Sequence, residues 1–298
     1  MASPTHDICW CATTLNSPVA RERRNKAPCA PVNFWNGICP GLKGWDMRPQ
    51  FALVTGSSSG IGFEIARLLA AEGHDVALTS DNRAKLSAAA DTLARDAPAA
   101  EIHQIVADIS VPEGAQTLFD EITLLKRPLD ILVNNAGVGL WGQFSETDLR
   151  DEIAMIELNA ISSIVLTKLF LPQMMRLKGG KILFVSGEEA MAPAAQLSVY
   201  SATKAFVFAF ARGLREELNG TGVAVTWILP GPTASDFFRR AGAPAPNAVG
   251  KLTDPCDVAK DAYAALMRDD QHIVTPLMDK LRLAATILQT DGDTARPQ

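Results

Sequence analysis

A glycine-rich turn between two unlike hydrophobic patterns constrains this chain more than any other feature. Phe51-Ala-Leu-Val-Thr55 is short and apolar, as a strand is, whereas Ile61 to Glu72 spaces its apolar residues as a helix does. Thr55-Gly56-Ser57-Ser58-Ser59-Gly60-Ile61-Gly62 joins them. Glycines there allow a tight turn and a close backbone approach to a ligand, and the helix N-terminus adds amide donors and the positive end of its dipole. Any tight strand-to-helix turn can need glycines, so the meaning of this one depends on the rest of the chain.

The same alternation continues. Strands are predicted at 75–79, 102–107, 129–134, Lys181 to Ser186 and Val223 to Leu229. Helices are predicted near 83–95, 112–126, 146–176 and 199–219, and Gly73 stops the first one. Strands that are apolar throughout belong to a parallel sheet covered on both faces. The expected architecture is a single doubly wound α/β domain over residues 51–289, followed by a polar tail at 290–298.

Composition narrows the function. Of the 298 residues 47% are hydrophobic, enough for a large core. The longest uninterrupted apolar run, Ala205 to Ala211, falls far short of the ~18 residues of a spanning segment, so no membrane partner is expected. Net charge is −5 and no Lys/Arg block exceeds Arg23-Arg24, so no nucleic acid is expected either. Small molecules or other proteins are the expected partners, and the cytoplasm the expected location.

The first fifty residues differ from the rest. They carry +3 against −8 for the remainder, and hold Cys9, Cys11, Cys29 and Cys39, with Cys256 the fifth cysteine. Zinc is disfavoured because Cys29 and Cys39 lie ten apart rather than in a close pair. The basic residues follow the weak apolar segment instead of preceding it, against a secretory signal. A disordered extension, with Met47 as an alternative start, is the expectation. No metal is expected anywhere in the chain.

Beyond the glycine turn, further candidates stand at strand ends, where ligands bind open α/β sheets. Asp81 follows the second strand, 19 residues beyond Gly62, and a carboxylate there can hold the ribose hydroxyls of a dinucleotide while repelling a 2′-phosphate. It can equally be a solvated loop residue. Asp108-Ile109 ends the third strand and Asn134-Asn135-Ala136-Gly137 the fourth, with a helix cap and a turn as their plainer roles. Tyr200-Ser-Ala-Thr-Lys204 opens a helix, and its i, i+4 spacing puts phenol and ammonium on one face. A neighbouring cation, joined by oxidised nicotinamide, is expected to lower the tyrosine pKa from its usual ~10 and make the phenol a usable acid and base.

Together these residues resemble the short-chain dehydrogenase/reductase family. The turn matches its TGxxxGxG, Asn134 to Gly137 its NNAG, Tyr200 to Lys204 its YxxxK, and Pro230-Gly231-Pro232-Thr233 its PG motif after the sixth strand, over about residues 50–275. The resemblance implies a Rossmann-type fold and a homodimer or homotetramer built on the helices that hold Asn159 and Tyr200. It implies that Tyr200 donates or accepts the proton, that Lys204 binds the nicotinamide ribose and tunes Tyr200, and that Asn159 organises a water. Gly56, Ser58, Ser59, Gly60, Ile61 and Gly62 would cradle the pyrophosphate. Asp108 would contact adenine, with Ile109 beside it; Asn135, Ala136 and Gly137 would line the cofactor. Thr233 would bind the carboxamide, next to Pro230 and Gly231.

The chain departs from that pattern twice. The family's catalytic serine lies 13 residues before the tyrosine, and that position is Gly187; Ser186 is adjacent, and Glu188 and Glu189 follow. Successive strand residues point to opposite faces, so Ser186 can substitute only if the strand end twists. Relatives that use NADP usually have Arg where this chain has Asp81, and those that use NAD often have their acid one residue earlier, at Ser80 here. NAD(H) is therefore favoured over NADP(H). The expected activity is hydride transfer between nicotinamide and a secondary alcohol or ketone; the alternative is a dinucleotide-binding relative whose redox activity is lost or repurposed. A mobile substrate lid is expected over 232–250, with Phe237, Phe238, Arg239 and Arg240, and Trp141 as a cleft residue or a packing one.

Overall fold

The computed structural model describes residues 49–243, 252–269 and 272–273. The expectations for residues 1–48, including Met47 and the four early cysteines, for 244–250 of the lid and for the tail at 290–298 lie outside these.

Seven parallel strands run in the order β3-β2-β1-β4-β5-β6-β7. They are β1 (Phe51–Thr55), β2 (Asp75–Ser80), β3 (Ile102–Val106), β4 (Ile131–Asn134), β5 (Gly180–Val185), β6 (Val223–Ile228) and β7 (His272–Ile273). The helices are α1 (Gly60–Ala71), α2 (Arg83–Asp96), α3 (Pro112–Leu124), α4 (Leu149–Ile156), α5 (Ser162–Leu177), α6 (Ser198–Glu217), α7 (Phe237–Arg240) and α8 (Pro255–Arg268). β1 pairs with β2 on one side (Leu53 with Ala77) and β4 on the other (Leu53 with Leu132). The strand order thus reverses between β1 and β4, which opens a crevice at their carboxyl ends.

Alternate strand residues feed opposite cores. Phe51, Leu53, Leu132, Ile182 and Phe184 pack with Leu118 of α3, Leu166 and Phe170 of α5 and Ala211 of α6. Ala52, Val54, Val76, Leu78 and Val133 pack on the other face with Ile65 and Leu69 of α1, Leu86 of α2 and Leu266 of α8. A period of two between two helical layers makes the strands apolar throughout, and burying each large side chain contributes ~1.5–3 kcal/mol. This is the doubly wound α/β sheet that the alternation implied.

The single long helix predicted for 146–176 is three segments. Asp148 caps α4 by accepting from the Arg150 N–H at 2.7 Å, and a π-helical turn, Glu157–Ile161, separates α4 from α5. Residues on both sides of it are helical, and a single wide turn of five residues is too short to show a period of its own in the sequence. Leu149–Leu177 as a whole is long and apolar enough to cross a membrane by length and composition, although polar residues break it into short runs. In this fold its α5 part packs into the core, with Leu166, Phe170 and Met174 buried against the sheet. A helical pattern around Tyr263 is the sequence trace of α8, and β7, two residues long, has none.

Candidate active site

One cleft lies over the carboxyl ends of the strands. Gly56, Ser58, Ser59, Gly60, Ile61 and Gly62 form its floor. Gly56 and Gly60 have φ of +64° and +63°, left-handed values that disfavour a side chain. A Cβ on Gly56 would also stand 2.8 Å from the Ala136 backbone. Asn135 braces the turn: its Nδ2 donates to the Thr55 carbonyl at 2.8 Å, and its own N–H donates to Thr55 Oγ1 at 3.0 Å. Ser59 begins α1 with no side-chain cap, so the first amides of a twelve-residue helix keep their donors for an anion.

The remaining strand-end candidates border the same cleft. Asp81 is exposed there, and Asp108 and Ile109 come in from β3. The Asp108 carboxylate accepts from the Ser110 N–H at 3.0 Å and hydroxyl at 2.6 Å, a local turn at the cleft edge. Asn135, Ala136 and Gly137 follow from β4, and Pro230, Gly231 and Thr233 from β6. The Thr233 hydroxyl donates to the Gly231 carbonyl at 2.8 Å.

Tyr200 and Lys204 stand one turn apart on α6, both buried. The Lys204 Nζ donates to the Val185 carbonyl at 3.1 Å and lies 5.6 Å from the Tyr200 ring centre. A Cβ on Gly137 would meet that Nζ at 3.5 Å and Asn159 Oδ1 at 3.1 Å, so a glycine there leaves room beside both groups. Asn159, in the π-helical turn, sits behind the cleft wall. Its Oδ1 accepts from the Val138 N–H and its Nδ2 donates to the Val138 carbonyl, both at 2.9 Å. It also donates to Thr203 Oγ1 at 3.1 Å, joining the β4 loop to α6.

The lowered tyrosine pKa expected from the sequence does not hold in the protein alone. Burial raises the Tyr200 phenol well above its usual value, and Glu189 raises it further. Burial also lowers the Lys204 ammonium to about 8, partly countered by Glu189. The i, i+4 spacing showed the cation but neither the desolvation nor the carboxylate.

Ser186 lines the cleft, but its hydroxyl is already engaged. Its hydroxyl is buried and donates to the Lys204 carbonyl at 2.7 Å, a backbone tether between β5 and α6. Gly187 has φ −174°, extended backbone that any residue adopts, so its conformation does not require glycine. The space beside it is filled: a Cβ on Gly187 would lie 2.5 Å from Glu189 Oε2. Glu189 belongs to a one-turn 3₁₀ helix, Glu188–Ala190, and burial raises its carboxyl pKa. The sequence shows Glu189 only as a neighbour of Gly187; its place in the cleft is set by this turn.

Among residues expected in the lid, Phe237, Phe238 and Arg240 line the cleft, and the Phe237 ring lies 5.2 Å from that of Tyr200. Trp141 packs in a small cluster with Met155, Leu197 and Tyr200, and its backbone N–H donates to the Ala241 carbonyl at 2.8 Å. The packing alternative for Trp141 is the one observed.

An open sheet with an uncapped glycine turn, acids at two strand ends and a buried Tyr–Lys pair over one cleft defines a dinucleotide-binding oxidoreductase class. The short chain dehydrogenase family profile matches residues 50–245, and the chain belongs to that family. It is 32% identical over 227 residues to an uncharacterized oxidoreductase, SSP0419, of Staphylococcus saprophyticus, covering 75% of this chain and 93% of the relative. It is 29% identical over 241 residues to the ketoacyl reductase HetN of Nostoc, covering 78% and 82%. A solved short-chain dehydrogenase from Sphingobium yanoikuyae in complex with NADPH superposes with TM-score 0.74 at 27% identity, over 84% of this chain and 96% of that one. This protein is a short-chain dehydrogenase/reductase.

Proposed function

We propose that the protein moves hydride between a nicotinamide dinucleotide and a secondary alcohol or ketone, with Tyr200 transferring the proton. The observation that carries this reading is the buried Tyr200–Lys204 pair on one face of α6, opening on the cleft that the glycine turn floors. The uncapped amides of α1 suit a pyrophosphate, and the space that Gly137 leaves beside Lys204 suits a ribose. A nicotinamide dinucleotide, when bound, would supply the hydride for the carbonyl carbon or accept it from the alcohol. In reduction the Tyr200 hydroxyl gives its proton to the carbonyl oxygen; in oxidation the phenolate takes it back. Lys204 holds the ribose hydroxyls and supplies the cation that offsets burial of the phenolate. Asn159 keeps the Val138 loop and α6 at fixed separation and organises the water that returns the proton. Phe237 walls the substrate end and excludes bulk water.

NAD(H) is the proposed cofactor, supported by Asp81, whose carboxylate borders the cleft after β2 and would repel a 2′-phosphate. The Sphingobium relative binds NADPH, so the test must include both. Residues 51–289 are proposed as one domain, acting in the cytoplasm as a homodimer or homotetramer. Leu149, Ile153 and Ile156 share one exposed face of α4, and Phe206 is exposed on α6, which supports an apolar oligomer contact.

Initial rates of NADH and NADPH consumption by the full chain with a panel of aliphatic and aryl ketones and aldehydes test the reading. Turnover with NADH at least tenfold faster is expected. Binding of NADH without turnover of any carbonyl would favour the repurposed alternative.

A further inference from the structure

The proposed reaction needs a second donor on the carbonyl oxygen, and neither neighbouring hydroxyl candidate supplies it: position 187 has no side chain, and the Ser186 hydroxyl is tied to the Lys204 carbonyl. We propose that Glu189, as the carboxylic acid, is a catalytic residue that donates a hydrogen bond to the substrate's carbonyl oxygen in place of the absent serine.

Three observations converge on it. Glu189 Oε2 lies 2.5 Å from where a Cβ of residue 187 would be, so it takes up space a serine there would use. Glu189 lines the same cleft as Tyr200 and Lys204. Its turn is anchored, because the Glu188 N–H donates to the Pro230 carbonyl and the Ala190 N–H to the Gly187 carbonyl. Glycine at 187 is explained by this arrangement and not by backbone strain, since φ there is extended.

Charge decides which form works. An ionised carboxylate beside a developing oxyanion repels it, whereas the acid donates. Burial raises the Glu189 pKa; the turn's own backbone hydrogen bond and Lys204 oppose that rise. The other titratable or charged groups bordering the site are Tyr200 and Lys204 from α6, Glu188 from the same turn, Arg240 from α7, and Asp81 and Asp108 at the strand ends. A neutral ketone excludes water from the site and favours the acid, while a cationic substrate would favour the carboxylate. The inference therefore assigns an uncharged carbonyl substrate. Glu189 keeps its proton through the cycle; hydride goes to carbon, and the proton added to oxygen is that of Tyr200.

The inference rests on the proposed redox function, and the experiment separates the two. Ketone reduction by the full chain is followed with acetophenone and cyclohexanone at pH 5.5–9, together with cofactor Kd by NADH fluorescence. Glu189→Ala is expected to lose ~10²–10³-fold in kcat with cofactor Kd within about twofold. Glu189→Gln, which keeps a donor that cannot ionise, should stay within about tenfold of wild type. Adding Gly187→Ser to Glu189→Ala should recover at least about tenfold, because the serine then has room and supplies the donor. Wild-type kcat/KM should fall as pH rises through the Glu189 pKa, and that fall should be missing in Glu189→Gln. Unchanged kcat in Glu189→Ala, or wild-type activity that rises with ionisation of Glu189, overturns the inference and leaves the redox function standing. No carbonyl turnover by wild type overturns both.

Discussion

Tyr200 and Lys204 show how burial and function pull against each other in single side chains. The phenol is held well above its usual pKa by desolvation, so the protein without cofactor stores it as an acid ready to donate. Tyr200→Phe removes that proton and little volume, and should lower kcat by ~10²–10⁴-fold with cofactor Kd nearly unchanged, measured by steady-state rates and fluorescence titration. Lys204 carries the opposite burden. Its pKa falls from 10.5 to about 8 on folding, so the folded protein binds fewer protons than the unfolded chain between those values. Its destabilising contribution is full below about pH 8 and fades as pH rises toward 10.5, whereas Tyr200 costs stability above pH 10, where only the unfolded phenol ionises. Lys204→Met should therefore raise stability at pH 7 by ~1–3 kcal/mol, seen as a higher Tm, while abolishing turnover.

At the scale of elements, two connections outside the cleft hold its walls. Lys181 of β5 is buried, and its Nζ donates to the Leu266 carbonyl at 3.0 Å and the Met267 carbonyl at 3.4 Å, beside Asp269. A cation there satisfies carbonyls at the end of α8 and favours the negative end of its dipole. Lys181→Met should cost ~1–3 kcal/mol in urea unfolding, with kcat unchanged, because the carbonyls lose their donor far from Tyr200. The π-helical turn is the second connection. It places Asn159 where both ends of its amide hold Val138 and its Nδ2 reaches Thr203. Asn159→Ala should raise KM for the cofactor as well as lower kcat, since the loop from β4 borders the cleft.

Across the whole molecule the exposed apolar face of α4 bears on assembly. Leu149, Ile153 and Ile156 follow one another at helical spacing with 70%, 45% and 39% of their surface exposed, which is costly for an isolated chain. The paired substitutions Leu149→Glu and Ile153→Glu should shift the molar mass in light scattering from oligomer to monomer. A monomeric wild type would refute the oligomer. Leu149–Leu177 is apolar enough to span a bilayer when judged by length and composition, and its α5 part packs on the sheet.

What the sequence determined by itself is what depends on near neighbours in the chain: the period-two strands, most helix spans, the glycine turn and the Tyr–Lys spacing, all of them consequences of local geometry. Those patterns were enough to place the candidate cofactor residues at strand ends. Tertiary structure decided what depends on distant partners. The sense of the Tyr200 shift follows from how much water the packed α6 and the Glu188–Ala190 turn exclude. The π-helical turn at Asn159 spans five residues and β7 two, too few for a period to be read from either. Ser186 pairs with a carbonyl 18 residues away, and Glu189 folds back across Gly187, because the β5 strand end and α6 meet there. A motif names the residues of a site, but their protonation and the direction each side chain takes follow from the burial and contacts that only the assembled chain creates.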